Sequence, residues 1–178
     1  MSILKIARLG HPVLFQKAKL VENITSNNIK KIVHDMTETM LDAQGIGLAA
    51  PQIHINKQIL IFVEPEIEEG KESPVNITAL INPKLSKISD KTDIQWEGCL
   101  SIPGMLGLVK RYFRIKYEGY DMNGNIIQKE AEGLHARIVQ HEYDHLSGIL
   151  YTSRLADNKA FGYSEEIENY WKKNTNNE

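Results

Sequence analysis

The chain has 178 residues, of which 42% are hydrophobic and 25% are charged, and its formal net charge is −2. These values are typical of a globular protein that can bury a substantial core. The near-neutral charge excludes a global basic field for sequence-specific nucleic acid binding, and the lack of a long apolar run predicts that no segment spans a membrane.

The start of the chain and its cysteine content set the expected compartment and organisation. Residues 1–6 have neither the apolar run nor the cleavage pattern of a secretion signal, so we expect a cytoplasmic protein. Cys99 is the only cysteine, which excludes an internal disulfide. We expect one domain over residues 1–178, with a frayed polar tail at 174–178.

The first predicted element is a helix, because apolar residues recur at helical spacing: Ile29, Ile32, Val33, Met36 and Met40. Polar residues at 25–27 can cap its start, and Gly45 lies just beyond its end. Residues 45–52 (GIGLAAPQ) follow, with two glycines and several small side chains. Such a backbone can approach another group closely.

Strands are predicted to dominate the middle of the chain, at residues 57–64, 79–82, 85–94, 111–120 and 126–131. Residues 64–74 are acidic and flanked by proline, which predicts an exposed loop. Asn123-Gly124 predicts a type I′ turn between the last two strands, and strands joined in this way pair antiparallel.

A helix around residue 140 follows these strands, and a last helix is predicted over residues 158–173. Its apolar residues are Phe161, Ile167, Tyr170 and Trp171. The predicted fold class is α+β: antiparallel sheets packed around a central helix, with an N-terminal and a C-terminal helix.

The segment His141-Glu142-Tyr143-Asp144-His145 in that central helix reads HExxH. Positions i and i+4 lie on one helix face, so both imidazoles can reach one metal ion. Glu142 points about 100° away around the axis, which suits contact with a water at the metal. Two ligands and a base on one helical turn are typical of a metal-dependent hydrolase.

A catalytic site of this kind needs a third protein ligand, and two sources compete for that position. Glu165 and Glu166 follow His145 at a spacing that resembles thermolysin-like metallopeptidases. Cys99 lies upstream in residues 97–104 (EGCLSIPG), where turn-forming residues can aim a thiolate into a cleft. The residues alone leave both open, together with a catalytically silent metal-binding module.

Three segments resemble, in order and spacing, the three motifs of peptide deformylases: residues 45–52 (GIGLAAPQ), 97–101 (EGCLS) and 140–145 (QHEYDH). Residues 10–14 (GHPVL) also resemble the start of that family. The resemblance runs from residue 3 to about 155. It implies one catalytic domain that removes the N-formyl group from the initiator methionine of new polypeptides and releases formate.

The resemblance also implies a role for each matching residue. Cys99, His141 and His145 would bind one divalent metal, with Fe²⁺ expected and Zn²⁺ or Ni²⁺ able to substitute. Glu142 would act as the general acid and base. Gln52 and the backbone N–H of Leu100 would hold the carbonyl oxygen of the substrate. Gly47 would approach the substrate backbone.

The expected partners are formyl-methionyl nascent peptides and, by resemblance only, the ribosome. Ile46, Leu134 and Ile138 are expected to form an apolar pocket for the methionine side chain. The chain departs from the family pattern at Leu106, where many members carry an arginine that helps to hold the peptide backbone.

Several neighbouring residues have a supporting role or none. Glu97 is either a partner for the free ring nitrogen of His141 or a solvated turn residue. Asp144 is expected to pair with Arg111 or Arg137. The other histidines, His11, His34, His54 and His135, are interpreted as structural or exposed.

Overall fold

The computed structural model describes residues 3–65 and 76–172. The predicted tail at 174–178 and most of the predicted loop at 64–74 lie outside these ranges. Within them, no helix is both long enough and apolar enough to cross a membrane.

The first predicted helix is confirmed as α1, Asn27–Asp42. Ser26 caps it by accepting a hydrogen bond from the Ile29 N–H at 3.4 Å. Its apolar stripe is buried against one face of a sheet.

That sheet has five antiparallel strands in the order β1-β2-β3-β6-β7. Their bounds are Gly47–Ala49, Ile59–Val63, Ile77–Lys87, Arg114–Tyr120 and Ile126–Glu132. The continuous apolar run of strand β2 is explained by burial on both faces. Ile59 and Ile61 pack on the α1 side, while Leu60 and Phe62 pack on the opposite side. Both faces of this part of the sheet are therefore covered.

A second sheet has three antiparallel strands in the order β4-β5-β8, with bounds Thr92–Cys99, Ile102–Tyr112 and Phe161–Tyr163. The predicted single strand at 85–94 is wrong, since β3 ends at Lys87 and β4 begins at Thr92 in the other sheet. Strand β5 was not predicted over most of its length. Its Pro103, Gly104 and Gly107 look like turn residues, yet the strand runs through all three.

The predicted type I′ turn at Asn123-Gly124 is wrong. A five-residue loop joins β6 to β7, and only Gly124 of the two residues has a positive φ, at 83°. The Asp121 carboxylate organises the loop by accepting hydrogen bonds from the Asn123 and Asn125 N–H groups, both at 2.8 Å.

Helix α2, Gly133–Leu146, lies between the two sheets. Ala136, Val139 and Leu146 pack on the five-stranded sheet. On the other side, the Gln140 side chain bonds the N–H and C=O of Tyr112, and Arg137 Nη1 donates to the Val109 C=O at 3.0 Å. These polar contacts fix the position of α2 against β5.

The C-terminal helix predicted over residues 158–173 is confirmed only in its second part, because helical structure runs from Ser164 to Lys172. Residues Phe161–Tyr163 form β8 on the edge of β5, followed by one turn of α-helix, α3, at Ser164–Glu166, and a π-helical segment, Ile167–Lys172. Of the apolar residues that suggested a helix, Ile167 is buried at 3% exposure and Tyr170 is 66% exposed. Pairing with the β5 edge overrides the helical pattern here. The α+β class and the central position of the HExxH helix are confirmed.

Candidate active site

The HExxH helix and the β4–β5 turn bring three predicted residues together. The donor atoms of Cys99, His141 and His145 all lie within 4.8 Å of one another, and Cys99 Sγ is 3.3 Å from His145 Nε2. Cys99 ends β4, where its pairing with Ile102 leaves a two-residue turn. This turn directs the thiol toward the histidine face of α2.

The alternative third ligands do not join this group. Glu165 and Glu166 are exposed in α3. We looked for clusters of three or more histidine, cysteine, aspartate or glutamate side chains with their ligand atoms close enough to hold one metal ion. Within residues 3–65 and 76–172, the one such cluster is Cys99, His141 and His145. His11, His34, His54 and His135 lie outside it.

The protonation of the two histidines follows from their neighbours. Burial lowers the pKa of His141, but hydrogen bonds with Cys99 and Glu97 outweigh it and raise the pKa to about 10. The same partners attract any positive charge at this imidazole, whether a proton or a metal ion. Burial and the charge of His141 hold the pKa of His145 well below its usual range. His145 is therefore a neutral imidazole, the form that binds metals.

Glu97 orients the first histidine and is not a solvated turn residue. Its side chain is buried, and Glu97 Oε2 lies 2.9 Å from His141 Nδ1. That contact leaves Nε2 of His141 for the cysteine side of the site. Burial raises the pKa of Glu97, but hydrogen bonds from His141 and Arg111 and the Arg111 charge hold it well below the usual range.

Two arginines neutralise Glu97 from the protein interior. Arg111 donates from Nε and Nη2 at 3.0 and 2.9 Å, and Arg137 donates from Nη1 at 2.6 Å. Asp144 was predicted to pair with either Arg111 or Arg137, and in the structure it pairs with Arg111. Arg154, which the sequence did not suggest, holds the other side of Asp144 with a 2.8 Å hydrogen bond.

Glu142 is buried beside this group at 5% exposure. Its Oε2 has no hydrogen-bond partner among the described residues. Burial is the largest influence and raises the pKa of Glu142 to about 7; His141 opposes this rise and Glu97 adds to it. A carboxyl group that ionises near neutrality can both accept and release a proton.

Gln52 lies in a 3-10 turn, Ala50–Ile53, and its amide orientation is fixed by its neighbours. Its Oε1 accepts from the Ala49 N–H at 2.8 Å. Its Nε2 therefore donates the other way, to Ser101 Oγ at 3.2 Å and toward Cys99 Sγ at 3.6 Å. Ser101 is fully buried and was missed as a supporting residue, although it lies within the EGCLS segment.

A cavity of about 900 Å³ opens over this group. Its lining includes the predicted pocket residues Ile46, Gly47, Leu134 and Ile138, together with Leu106 and Trp96. Ile138 is buried at 6% exposure, whereas Ile46 and Leu134 are 53% and 58% exposed. Ile138 thus forms the deep part of the cavity wall, and Ile46 and Leu134 form its outer part.

Most of this chain matches known proteins in sequence. The family model described as polypeptide deformylase matches residues 3–161. Peptide deformylase 1 of Bordetella pertussis is 47% identical over 163 residues, which is 91% of this chain and 93% of that protein.

Two solved structures of peptide deformylases are similar to this chain in fold. The peptide deformylase of Thermotoga maritima has a TM-score of 0.79 and 35% identity, covering 88% of this chain and 100% of that one. A Met-Ala-Ser-bound class I type b peptide deformylase from Acinetobacter baumannii has a TM-score of 0.79 and 34% identity, covering 87% of this chain and 100% of that one. The chain therefore belongs to the polypeptide deformylase family of metal-dependent hydrolases.

Proposed function

We propose that this enzyme removes the N-formyl group from the initiator formyl-methionine of newly made polypeptides and releases formate. The observation that carries the proposal is the convergence of one thiol, two imidazoles and the buried Glu142 carboxylate beside one cavity. Hydrolysis of a linear amide needs a polarised carbonyl, an attacking water and a proton carrier. This set of groups can supply all three.

Cys99, His141 and His145 would hold one divalent metal ion. The fit rests on the donor set: one thiol and two imidazoles with their donor atoms within 4.8 Å form a compact, partly soft site. Glu97 supports it by leaving Nε2 of His141 available. When bound, such an ion supplies a Lewis acid that polarises a carbonyl and lowers the pKa of water.

Glu142 is the proposed proton carrier. It takes a proton from the water that attacks the formyl carbon, and then gives that proton to the departing amine nitrogen. The carbon–nitrogen bond breaks, leaving a free amino terminus and formic acid, which loses its remaining proton to water and is released as formate. The same carboxylate serves both proton transfers at the reacting atoms.

Gln52 and Leu100 are the proposed donors to the carbonyl oxygen as it becomes negative. The Gln52 Nε2 direction is fixed by the Ala49 N–H, so little reorganisation is needed. Leu100 offers its backbone N–H from the turn next to Cys99. By analogy with known oxyanion holes, each donor is worth about 3–4 kcal/mol of transition-state stabilisation.

The cavity wall would bind the methionine side chain of the substrate. Ile138 forms the deep part of a pocket for the methionine side chain, with Ile46 and Leu134 nearer the opening. Gly47 lies beside the path of the peptide backbone. A linear thioether fills an apolar slot of this kind well.

The proposed metal in the cell is Fe²⁺, with Zn²⁺ or Ni²⁺ able to replace it, on the strength of the family resemblance. Nascent formyl-methionyl chains are the substrates, which favours a cytoplasmic location and contact with the ribosome. Residues 1–178 would act as one catalytic domain, in keeping with a family match over residues 3–161.

The products distinguish this proposal from the two alternatives. Incubation of the metal-loaded protein with formyl-Met-Ala-Ser is expected to yield formate and Met-Ala-Ser. Cleavage of the Met–Ala bond would favour a metallopeptidase, and neither product would favour a silent metal-binding module. The metal content of Cys99→Ala and of the double variant Glu165→Ala/Glu166→Ala then separates the competing ligands. We expect metal loss only from Cys99→Ala.

Enlarging the deep pocket residue should weaken substrate binding. Ile138→Phe places a ring where Ile138 is 6% exposed, so KM for formyl-Met-Ala-Ser is expected to rise at least about 10-fold. Because Ile138 also packs in the core, Tm should fall modestly. Metal content should stay unchanged. Steady-state kinetics with metal analysis checks this, and an unchanged KM would locate the pocket elsewhere.

Introducing an arginine at residue 106, as in many family members, should strengthen binding of longer peptides. Leu106 lines the cavity and pairs with Gly162 of β8, so a longer side chain there can reach the opening. A charge-assisted hydrogen bond to a substrate carbonyl is worth about 1.5–3 kcal/mol. Leu106→Arg is therefore expected to lower KM for formyl-Met-Ala-Ser without changing kcat, whereas Leu106→Met should do neither. A KM that stays constant or rises in Leu106→Arg would contradict this role.

A further inference from the structure

We propose that Gly47 is a positioning residue for the Glu142 carboxylate: the missing side chain at residue 47 is the space in which that carboxylate lies. The inference rests on the proposed role of Glu142 as the proton carrier. It gives Gly47 a task different from close approach to the substrate backbone.

Steric overlap identifies the residue that needs the glycine. A Cβ built on Gly47 would lie 2.8 Å from Cδ and 2.9 Å from Cγ of Glu142, and closer still to Oε1. All three nearest atoms belong to the Glu142 side chain. A methyl group at this position would therefore displace the carboxylate.

The backbone at Gly47 does not itself require glycine. Gly47 begins strand β1 and pairs with Phe62, and it is not among the residues with positive φ. Side chains are sterically allowed in such a conformation. Glycine in a strand also lowers stability, and it often marks a close approach by another group. Here that group is Glu142.

Hydrogen bonds do little to hold the Glu142 carboxylate in place. Its Oε2 is buried and has no partner in the part of the chain that the structure describes. The close approach to Gly47 of β1 therefore limits where the carboxylate can lie. Misplacement of a catalytic group by about 1 Å can cost about 10²-fold in rate.

Gly47→Ala is expected to lower kcat for formyl-Met-Ala-Ser by about 10²-fold, with KM changed little and metal content retained. Gly162→Ala is the matched control. It is also a strand glycine without positive φ, and its added Cβ would meet nothing closer than 3.8 Å. Its kcat, KM and metal content should equal those of the wild type.

A second background makes the test specific to Glu142. Glu142→Asp shortens the side chain by one methylene and vacates the overlap, so adding Gly47→Ala should cost no more than about 3-fold there. If Gly47→Ala alone fails to fold or to bind metal, the double variant should restore both.

Four results would overturn the inference: a Gly47→Ala variant with the kcat and KM of the wild type, a rise in KM at constant kcat, an equal loss in both backgrounds, or a double variant that remains unfolded. An inactive wild type in the same assay would instead refute the proposed function.

Discussion

Glu142→Gln is expected to retain the metal and to lose turnover by a factor of about 10² to 10⁴. The amide has nearly the shape of the carboxyl group but cannot accept and return a proton. Because Glu142 is buried with one oxygen unpartnered among the described residues, removing its charge should not lower Tm. Formate release, metal content and thermal unfolding together check the prediction.

Glu165→Gln is the matched control for this variant. Glu165 is exposed in α3 and lies outside the group formed by Cys99, His141 and His145. Its kcat should remain that of the wild type. Near-normal turnover in Glu142→Gln would refute the assignment of Glu142, and so would loss of activity in Glu165→Gln with Glu142→Gln unaffected.

Glu97→Ala is expected to have the largest effect on stability. Glu97 is buried, and it pairs with Arg111, Arg137 and His141. Arg111 and Arg137 keep Asp144 and Asp93 as partners. Without Glu97, however, this network of three arginines and two aspartates has one positive charge without a counter-charge, at a cost of about 3–5 kcal/mol. Loss of the carboxylate behind His141, a proposed metal ligand, should also weaken metal affinity by about 10- to 100-fold. Denaturant unfolding and a metal-binding titration measure the two effects.

The exposed pair Glu130–Arg114 provides the comparison. Its side chains are 54% and 49% exposed, so Glu130→Ala should cost less than about 1 kcal/mol. Glu97→Gln should fall between the two, because it keeps one acceptor oxygen and loses the charge. Equal stability losses in Glu97→Ala and Glu130→Ala would contradict the role of Glu97.

Local spacing predicted part of the site, and distant contacts set the rest. His141, Glu142 and His145 share one helical turn, so their relation follows from helix geometry. Cys99 lies 46 residues from His145, and the residues alone did not separate it from Glu165 or Glu166. The resemblance to the family motifs favours Cys99. The contact between Gly47 and Glu142 joins strand β1 to helix α2 and has no local signal.

The fold was predictable where one force dominates a segment. Helix α1 follows a regular apolar stripe, and it formed as predicted. Strand β5 was missed because Pro103 and Gly104 indicated a turn; the strand instead continues through both and through Gly107. A Cβ added at Gly107 would overlap Leu155 and Tyr151, so the strand needs glycine there for packing. The C-terminal helix begins at Ser164, later than predicted, because Phe161–Tyr163 pair with the edge of β5 as strand β8.

The most direct test of the account is formate release from formyl-Met-Ala-Ser as metal is returned to metal-free protein. We predict no release before addition, a rate that rises in proportion to added Fe²⁺ or Ni²⁺, and saturation at one equivalent per chain. Cys99→Ala should show no such rise under the same conditions. Formate release without metal, or a titration of Cys99→Ala identical to that of the wild type, would contradict a deformylase site built on Cys99, His141 and His145.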